Sequence, residues 1–189
     1  GLSPVTLELL DRFTIGAVDD MNDLGLDREA AAMLMIESDL PGGAAVAEME
    51  RAEEVCLAAG AGSTVRARDA QEADWLRQAR RAAHWALERM GDVHMEDIVV
   101  PRARIPDMLR AIEAIAIRHD VRIGTFGHAG DGNLHPDLVF ERGDPRAAEV
   151  TQAVRTELYR TALDLGGSVT GEHGIGVARR EWLVEQRGE

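Results

Sequence analysis

A tight turn between two strand-forming segments constrains the fold of this chain more than any other feature. Residues 121–126 and 133–140 are largely apolar, and the sequence Ala-Gly-Asp-Gly stands between them at residues 129–132. An Asp-Gly pair between two such segments is a strong signal for a hairpin turn. We therefore predict a β-hairpin here, and with it a sheet that contains antiparallel pairing.

Helical and strand-like segments alternate along the rest of the chain. A first helix is predicted to start at Ser3-Pro4, because a hydroxyl side chain can cap a helix and proline is favoured at its first position. The spacing of apolar residues predicts the other helices and strands. The helices are expected at residues 46–56, 70–90 and 106–115 and from Asp144-Pro145 to Leu165; the further strands are expected at residues 31–36 (a buried one), 63–67 and 97–100. This order predicts a single α+β domain over residues 1–189, with a ferredoxin-like antiparallel sheet and helices layered on it.

The amino-acid composition of the chain argues against some classes of partner. With 189 residues, of which 45% are hydrophobic, the chain can bury one sizeable core. A net charge of −13 argues against nucleic acid and anionic membrane surfaces as partners. One cysteine, Cys56, excludes an internal disulfide and fits a reducing compartment, so we expect a cytoplasmic location.

Two histidines flank the predicted turn. A four-residue loop pairs His128 with Asn133 and places His135 two residues along the same face; a two-residue loop puts His128 directly opposite His135. Cross-strand neighbours on one face are at most roughly 7–8 Å apart, so both imidazoles can reach one metal ion. Asp137 falls on the same face. The alternative is a pair of histidines that only pack on a half-exposed sheet.

A glycine-rich loop supplies the other candidate residues. Residues 166–176 read GGSVTGEHGIG, with five glycines in eleven positions. A phosphate-binding loop is excluded, because neither Gly-Lys-Ser/Thr nor the order GxGxxG is present. Glu172 and His173, adjacent in this loop, suit a metal ligand beside a general base. Two histidines and one carboxylate leave open positions on a divalent ion.

Both motifs resemble a known family. The sequences GHAGDGNLHP at residues 127–136 and GGSVTGEHGIG at residues 166–176 are similar to the C-terminal region of the FAD-linked oxidases of the vanillyl-alcohol oxidase superfamily. The branch with the greatest resemblance comprises the glycolate oxidase flavin subunit, D-lactate dehydrogenase and D-2-hydroxyglutarate dehydrogenase. Weaker similarity covers residues 7–11, 34–39, 79–83 and 97–102. One departure is Arg77, which stands where the family usually has tryptophan.

The resemblance implies roles for individual residues. His128, His135 and Glu172 match the family's metal ligands, for which zinc, manganese or iron is expected. His173 matches the base that takes the substrate's hydroxyl proton. Arg80 matches the arginine that binds the substrate carboxylate.

The resemblance also predicts contacts for three more residues, Asp137, Gly171 and Gly174. Asp137 occupies a substrate-contacting position where the hydroxyglutarate enzyme has asparagine, which argues against that substrate. Gly171 and Gly174 are expected to approach the flavin. The remaining histidines, His84, His94 and His119, have no motif around them, and we expect them to be structural or at the surface.

The resemblance also implies a function for the intact protein: oxidation of a small D-2-hydroxyacid to a 2-oxoacid with FAD. We expect this chain to be the cap domain of a longer chain, with an FAD-binding domain and a C-terminal tail outside it, and to be inactive alone. Expected partners are that FAD-binding domain and an electron-acceptor subunit, in a homo-oligomer that could lie at a membrane surface. Two alternatives stay open: a freestanding metal-dependent hydrolase, and a non-catalytic domain that retains the motifs.

Overall fold

One antiparallel sheet organises the molecule. The computed structural model describes residues 2–188, and within them five strands follow the order β2–β1–β5–β6–β3, while the short β4 pairs with β6. The strands β1 to β6 are Thr6–Asp11, Ala32–Glu37, Asp92–Met95, Ile98–Val99, Arg122–His128 and Asn133–Phe140. The predicted α+β class with an antiparallel sheet and helices is confirmed.

Helices cover the two faces of the sheet. The helices α1 to α6 are Arg12–Asn22, Gly43–Ala58, Ala70–Met90, Ile105–Arg118, Ala147–Asp164 and Arg180–Arg187. Helices α1 and α3 bury one face together with Leu10 and Phe126, whereas α4 and α5 bury the other with Leu9 and Leu138. In residues 2–188, every helix is too short or too polar to cross a membrane.

The hairpin has the four-residue loop, one of the two alternatives that the sequence left open. His128 pairs with Asn133, and Phe126 pairs with His135, so both histidines lie on the face that α1 and α3 cover. Gly132 has a φ of +79°, and a Cβ there would come within 2.0 Å of the Val100 carbonyl oxygen. Only glycine fits this turn, which fixes the register of the two strands.

The helix predicted from Ser3-Pro4 is wrong. Residues Thr6–Asp11 form the strand β1, and the helix starts at Arg12. Leu9 and Leu10 enter opposite cores, as successive residues of a strand do. Leucines three apart had suggested a helix, but the neighbouring strands β2 and β5 determine the conformation.

Smaller corrections concern four other segments. Residues 63–67 are irregular, and the strand expected at residues 97–100 is limited to Ile98–Val99. The strand β2 forms as predicted but is not buried, because it lies at the edge of the sheet and leaves Leu34 48% exposed. The strand β3 was missed, since Asp92–Met95 is only four residues long and a single residue, Gly91, separates it from α3.

Candidate metal and substrate site

The hairpin and the glycine-rich loop bring the three predicted metal ligands together. Glu172 Oε1 lies 3.1 Å from His135 Nε2 and 3.6 Å from His128 Nε2. One ligand atom from each of the three residues lies within 4.8 Å of the other two. Two nitrogens and one oxygen at this spacing suit a divalent ion such as zinc, manganese or iron.

The outer nitrogens of the two imidazoles face carboxylates. His128 Nδ1 lies 2.7 Å from Glu8 Oε1 on the neighbouring strand β1. His135 Nδ1 is buried, has no hydrogen-bond partner among residues 2–188, and lies 3.9 Å from Asp97 Oδ1. Metal-binding histidines usually turn their second nitrogen towards a carboxylate or carbonyl group. The arrangement therefore leaves both Nε2 atoms for an ion.

The protonation of His135 suits a ligand. Burial lowers the pKa of His135 to about 4, and this effect outweighs the opposing carboxylates of Asp97 and Glu172. The imidazole is thus neutral near pH 7, which is the form that binds a metal ion.

A second group of potential ligands, Asp97, His135 and His173, lies within the same 4.8 Å limit. The carboxylate of Asp97 is already saturated, however. It accepts hydrogen bonds from the side chains of Asn133 and Thr170 and from the backbone N–H groups of Gly171, Glu172 and His173. Burial raises the pKa of Asp97, but these donors outweigh it and bring that pKa to about 2. A carboxylate offers only about four lone-pair sites, so we assign Asp97 to holding the loop and not to the ion.

His173 lies against the ligand cluster. Its ring stacks on that of His135, with 5.1 Å between the ring centroids and an interplanar angle of 18°. Its Nε2 lies 3.6 Å from Glu172 Oε1, and 36% of its side chain is exposed. The ring of His173 is therefore accessible from solvent beside the ligand cluster.

Arg80 reaches the same cluster from α3. Its Nε donates to Glu8 Oε2 at 2.6 Å, and its guanidinium group lies 4.9 Å from the centroid of the Phe126 ring. Glu8 thus connects Arg80 to His128 through its two oxygens. Within residues 2–188 the two terminal nitrogens, Nη1 and Nη2, make no hydrogen bond, and this pair can bind a carboxylate end-on. Arg77, one turn earlier, instead pairs with Glu37 at 3.1 Å.

Asp137 is fully buried beside this cluster. Its Oδ2 lies 2.8 Å from His84 Nδ1, whereas its Oδ1 has no partner among residues 2–188. Burial raises the pKa of Asp137 to about 6, although the contact with His84 opposes the shift. No motif in the sequence indicated this place for His84, because the contact joins residues from α3 and β6.

Gly171 and Gly174, the two glycines expected to approach the flavin, differ in their surroundings. A Cβ at Gly171 would come within 2.4 Å of Asn133 Nδ2, so packing inside the chain already requires glycine. Gly174 has a φ of +77° and open space around it. Their approach to a flavin stays a prediction.

Two residues of the site, Glu8 and Asp97, were missed as functional residues. Both lie in segments with weak similarity to the family, residues 7–11 and 97–102. An acidic residue within or next to a run of apolar residues was the available signal, since such a residue needs a partner when it is buried. His94 and His119, by contrast, pair with Thr151 and Glu157.

Comparison with known proteins identifies the family of the chain. Residues 1–189 match the family described as "FAD linked oxidases, C-terminal domain". The chain is 40% identical over 181 residues to the glycolate oxidase subunit GlcD of Bacillus subtilis (strain 168), covering 95% of this chain and 38% of that protein. The GlcD subunit of Escherichia coli (strain K12) is 31% identical over 177 residues, covering 93% and 36%.

A more distant relative is the mitochondrial D-lactate dehydrogenase [cytochrome] of Kluyveromyces lactis, 29% identical over 121 residues, which cover 60% of this chain and 20% of that protein. The chain thus spans less than two fifths of the length of these relatives. With a match that extends over its full length, the chain belongs to the family of FAD linked oxidase C-terminal domains.

Proposed function

We propose that this chain is the substrate- and metal-binding domain of an FAD-dependent D-2-hydroxyacid dehydrogenase. The observation that carries the proposal is the convergence of three ligand atoms within 4.8 Å, with His173 and Arg80 beside them. The proposed substrate is a small acid of the glycolate or D-lactate type, which the intact protein oxidises to a 2-oxoacid.

Each residue has a distinct task in this proposal. His128, His135 and Glu172 would hold a divalent ion. When bound, such an ion would supply a Lewis acid that lowers the pKa of the substrate hydroxyl, and FAD, held mainly by another domain, would supply a hydride acceptor. His173 takes the hydroxyl proton. Arg80 binds the substrate carboxylate through its two terminal nitrogens, and Glu8 keeps it in place.

The surroundings of Asp137 favour a short substrate. Its pKa of about 6 leaves it largely ionised near neutral pH, and only His84 pairs with it among residues 2–188. A second carboxylate on the substrate would meet this charge at close range, which is unfavourable in a buried place. Glycolate or D-lactate avoids the conflict, whereas hydroxyglutarate does not.

The remaining parts of the proposal concern the intact protein. An FAD-binding domain in the same chain and an electron-acceptor subunit are proposed partners, because two of the relatives are named as subunits of glycolate oxidase. A homo-oligomer that is cytoplasmic or peripheral at a membrane stays an expectation. Arg80 beside the ligands supports an acid substrate over a freestanding hydrolase or a non-catalytic domain.

The test is a steady-state comparison of variants of the intact protein on glycolate and D-lactate. His173→Ala should lower kcat by roughly 10²–10⁴-fold, because a general base acts in the transition state. Arg80→Ala should raise KM and lower kcat/KM by about 10–100-fold, since it removes a charged hydrogen-bond pair. Arg81→Ala, whose side chain is 67% exposed one position along α3, is the matched control and should change neither constant.

Two results would contradict the proposal. One is that no short 2-hydroxyacid reduces the flavin of the intact protein. The other is an Arg80→Ala variant that keeps both constants of the wild type.

A further inference from the structure

The loop that carries Glu172 and His173 is exposed, yet its backbone is firmly held. Residues 171–173 form no helix or strand, and all three are exposed. Their backbone N–H groups nevertheless converge on one oxygen, Asp97 Oδ2, at distances of 2.9, 3.1 and 2.9 Å. Thr170 Oγ1 donates to the same oxygen at 2.6 Å. Consecutive N–H groups that converge in this way form a pocket for a negative charge.

The same carboxylate also holds the hairpin. Asp97 is fully buried, and its Oδ1 accepts a hydrogen bond of 2.7 Å from Asn133 Nδ2. Asn133 pairs directly with His128 across the hairpin. Asp97 therefore joins the two segments that carry the proposed ligands, although they lie far apart in the sequence.

A third contact concerns His135. Its Nδ1 is buried without a hydrogen-bond partner and faces Asp97 Oδ1 at 3.9 Å, about 0.7 Å beyond the usual upper limit for such a bond. The Nδ1 atom of His128 does have a carboxylate partner, because Glu8 Oε1 lies 2.7 Å from it. Asp97 is the carboxylate that stands in the corresponding place for His135.

We propose that Asp97 is the positioning residue of the metal site: it holds the backbone of residues 171–173 so that Glu172 points to the ion and His173 to the substrate, and it faces Nδ1 of His135. The inference rests on the proposed function, because the ligand assignment is part of it. Asp97 itself does not touch the ion or the substrate.

The variant for the test is Asp97→Asn in the intact protein. Asparagine keeps the shape but not the charge, and its NH₂ group would meet either the amide of Asn133 or the N–H groups of the loop. Thr170→Val removes one of the four donors to Oδ2 and gives a milder second variant. The matched control is Asp11→Asn, because Asp11 also accepts backbone N–H bonds, from Thr14 and Thr125, but lies outside the site.

Two measurements are combined on these proteins. Hydrogen exchange followed by mass spectrometry reports the protection of the amides at residues 171–173 without any metal. Titration with Mn²⁺, followed by the electron paramagnetic resonance signal of the free ion, gives the Kd for the metal.

The expected result is slow exchange of these amides in the wild type, and exchange at least about tenfold faster in Asp97→Asn. The Kd for Mn²⁺ should rise by about 10–100-fold, the range found when outer partners of metal ligands are removed. Thr170→Val should show the same changes to a smaller extent. Asp11→Asn should keep both the protection and the Kd within about twofold of the wild type.

The outcomes separate the two proposals. Rapid exchange of residues 171–173 in the wild type, or unchanged exchange in Asp97→Asn, overturns the role of Asp97 whether or not the protein binds metal. If Asp97→Asn cannot be folded, the exchange of the wild type and of Thr170→Val decides. A wild type that shows protected amides but binds no Mn²⁺ contradicts the ligand assignment and, with it, the positioning role for metal.

Discussion

At the scale of single residues, Glu8 contacts two of the proposed functional residues. Its two oxygens bind Arg80 and His128, and only 13% of its side chain is exposed. The residue thus orients the proposed substrate arginine and one metal ligand at the same time.

We therefore expect Glu8→Gln to impair both. The amide cannot accept on both sides, so the Kd for the metal should rise by about 10–100-fold, and KM for the hydroxyacid should rise as well. Metal titration and steady-state kinetics of the intact protein measure these effects. Glu37→Gln, which removes the Arg77–Glu37 pair near the preceding turn of the same helix, is the control and should change neither constant. Equal effects of the two variants would refute the role of Glu8.

The sequence predicted the hairpin part of this site but not the two carboxylates that hold it, Glu8 and Asp97. The Asp-Gly turn determines which residues pair, so the common face of His128 and His135 could be derived locally. Glu8 reaches His128 across 120 residues, and Asp97 reaches the loop across 73 to 76. Those contacts depend on the position of β1 beside β5 and of β4 beside β6, and no local pattern specifies that strand order.

At the scale of elements, the junction of β1 and α1 explains the main error in the fold. Asp11 ends the strand and caps the helix, accepting from the N–H of Thr14 at 2.8 Å. Its other oxygen accepts from the N–H of Thr125 on β5 at 2.8 Å. The strand before this cap was not predicted, because Leu7, Leu10 and Phe13 recur at a helical spacing.

The stability of this junction should depend on pH. Burial raises the pKa of Asp11 to about 6, although the N–H groups of Thr14 and Thr125 lower it. A carboxyl group with a higher pKa in the folded chain than its value of about 3.9 in the unfolded chain binds more protons when folded. Its contribution to stability is therefore complete below about pH 4 and is lost as the pH rises through about 6.

Asp11→Asn provides the comparison, because it cannot titrate. Relative to this variant, the free energy of unfolding of the wild type should fall between about pH 4 and pH 7. Hydrogen exchange of α1 in increasing urea, recorded at each pH, measures this change. A difference between the two proteins that stays constant over this range would show that the pKa of Asp11 is not raised.

At the scale of the whole molecule, a buried polar network ties the C-terminal segments to the sheet. Glu96 is fully buried and accepts from Arg155 Nη2 at 2.6 Å and from Tyr159 Oη at 2.5 Å. Arg179 donates to Tyr159 Oη at 2.7 Å and to the carbonyl oxygen of Gly174 at 2.9 Å. The network therefore anchors the far end of the glycine-rich loop to the face opposite the site.

Removing Glu96 should loosen this half of the fold. Glu96→Ala leaves Arg155 partly buried without its carboxylate, which costs about 3–5 kcal/mol in comparable networks. Hydrogen exchange of α5 in increasing urea measures the loss. Glu54→Ala is the control, because the Glu54 side chain is 66% exposed in its pair with Arg51, and it should cost less than about 1 kcal/mol. A loss no larger in Glu96→Ala would mean that the network contributes only packing.

The architecture could be predicted in class but not in detail. Alternating helices and strands around one hairpin were sufficient for an α+β domain with an antiparallel sheet, as observed. The edge position of β2 and the short strand β3 were not predicted from the sequence, because both depend on which strands become neighbours and on the helices that pack on them. Local sequence carries little of that information.

The measurement that tests the central claim most directly is a metal titration of the intact protein. The wild type should bind about one Mn²⁺ ion at the site of His128, His135 and Glu172, and the double variant His128→Ala, His135→Ala should show no saturable binding there, because it loses two of the three ligands. The double variant His94→Ala, His119→Ala removes two histidines outside the site and should keep the wild-type Kd. An unchanged Kd in the first double variant would contradict the ligand assignment and the mechanism built on it.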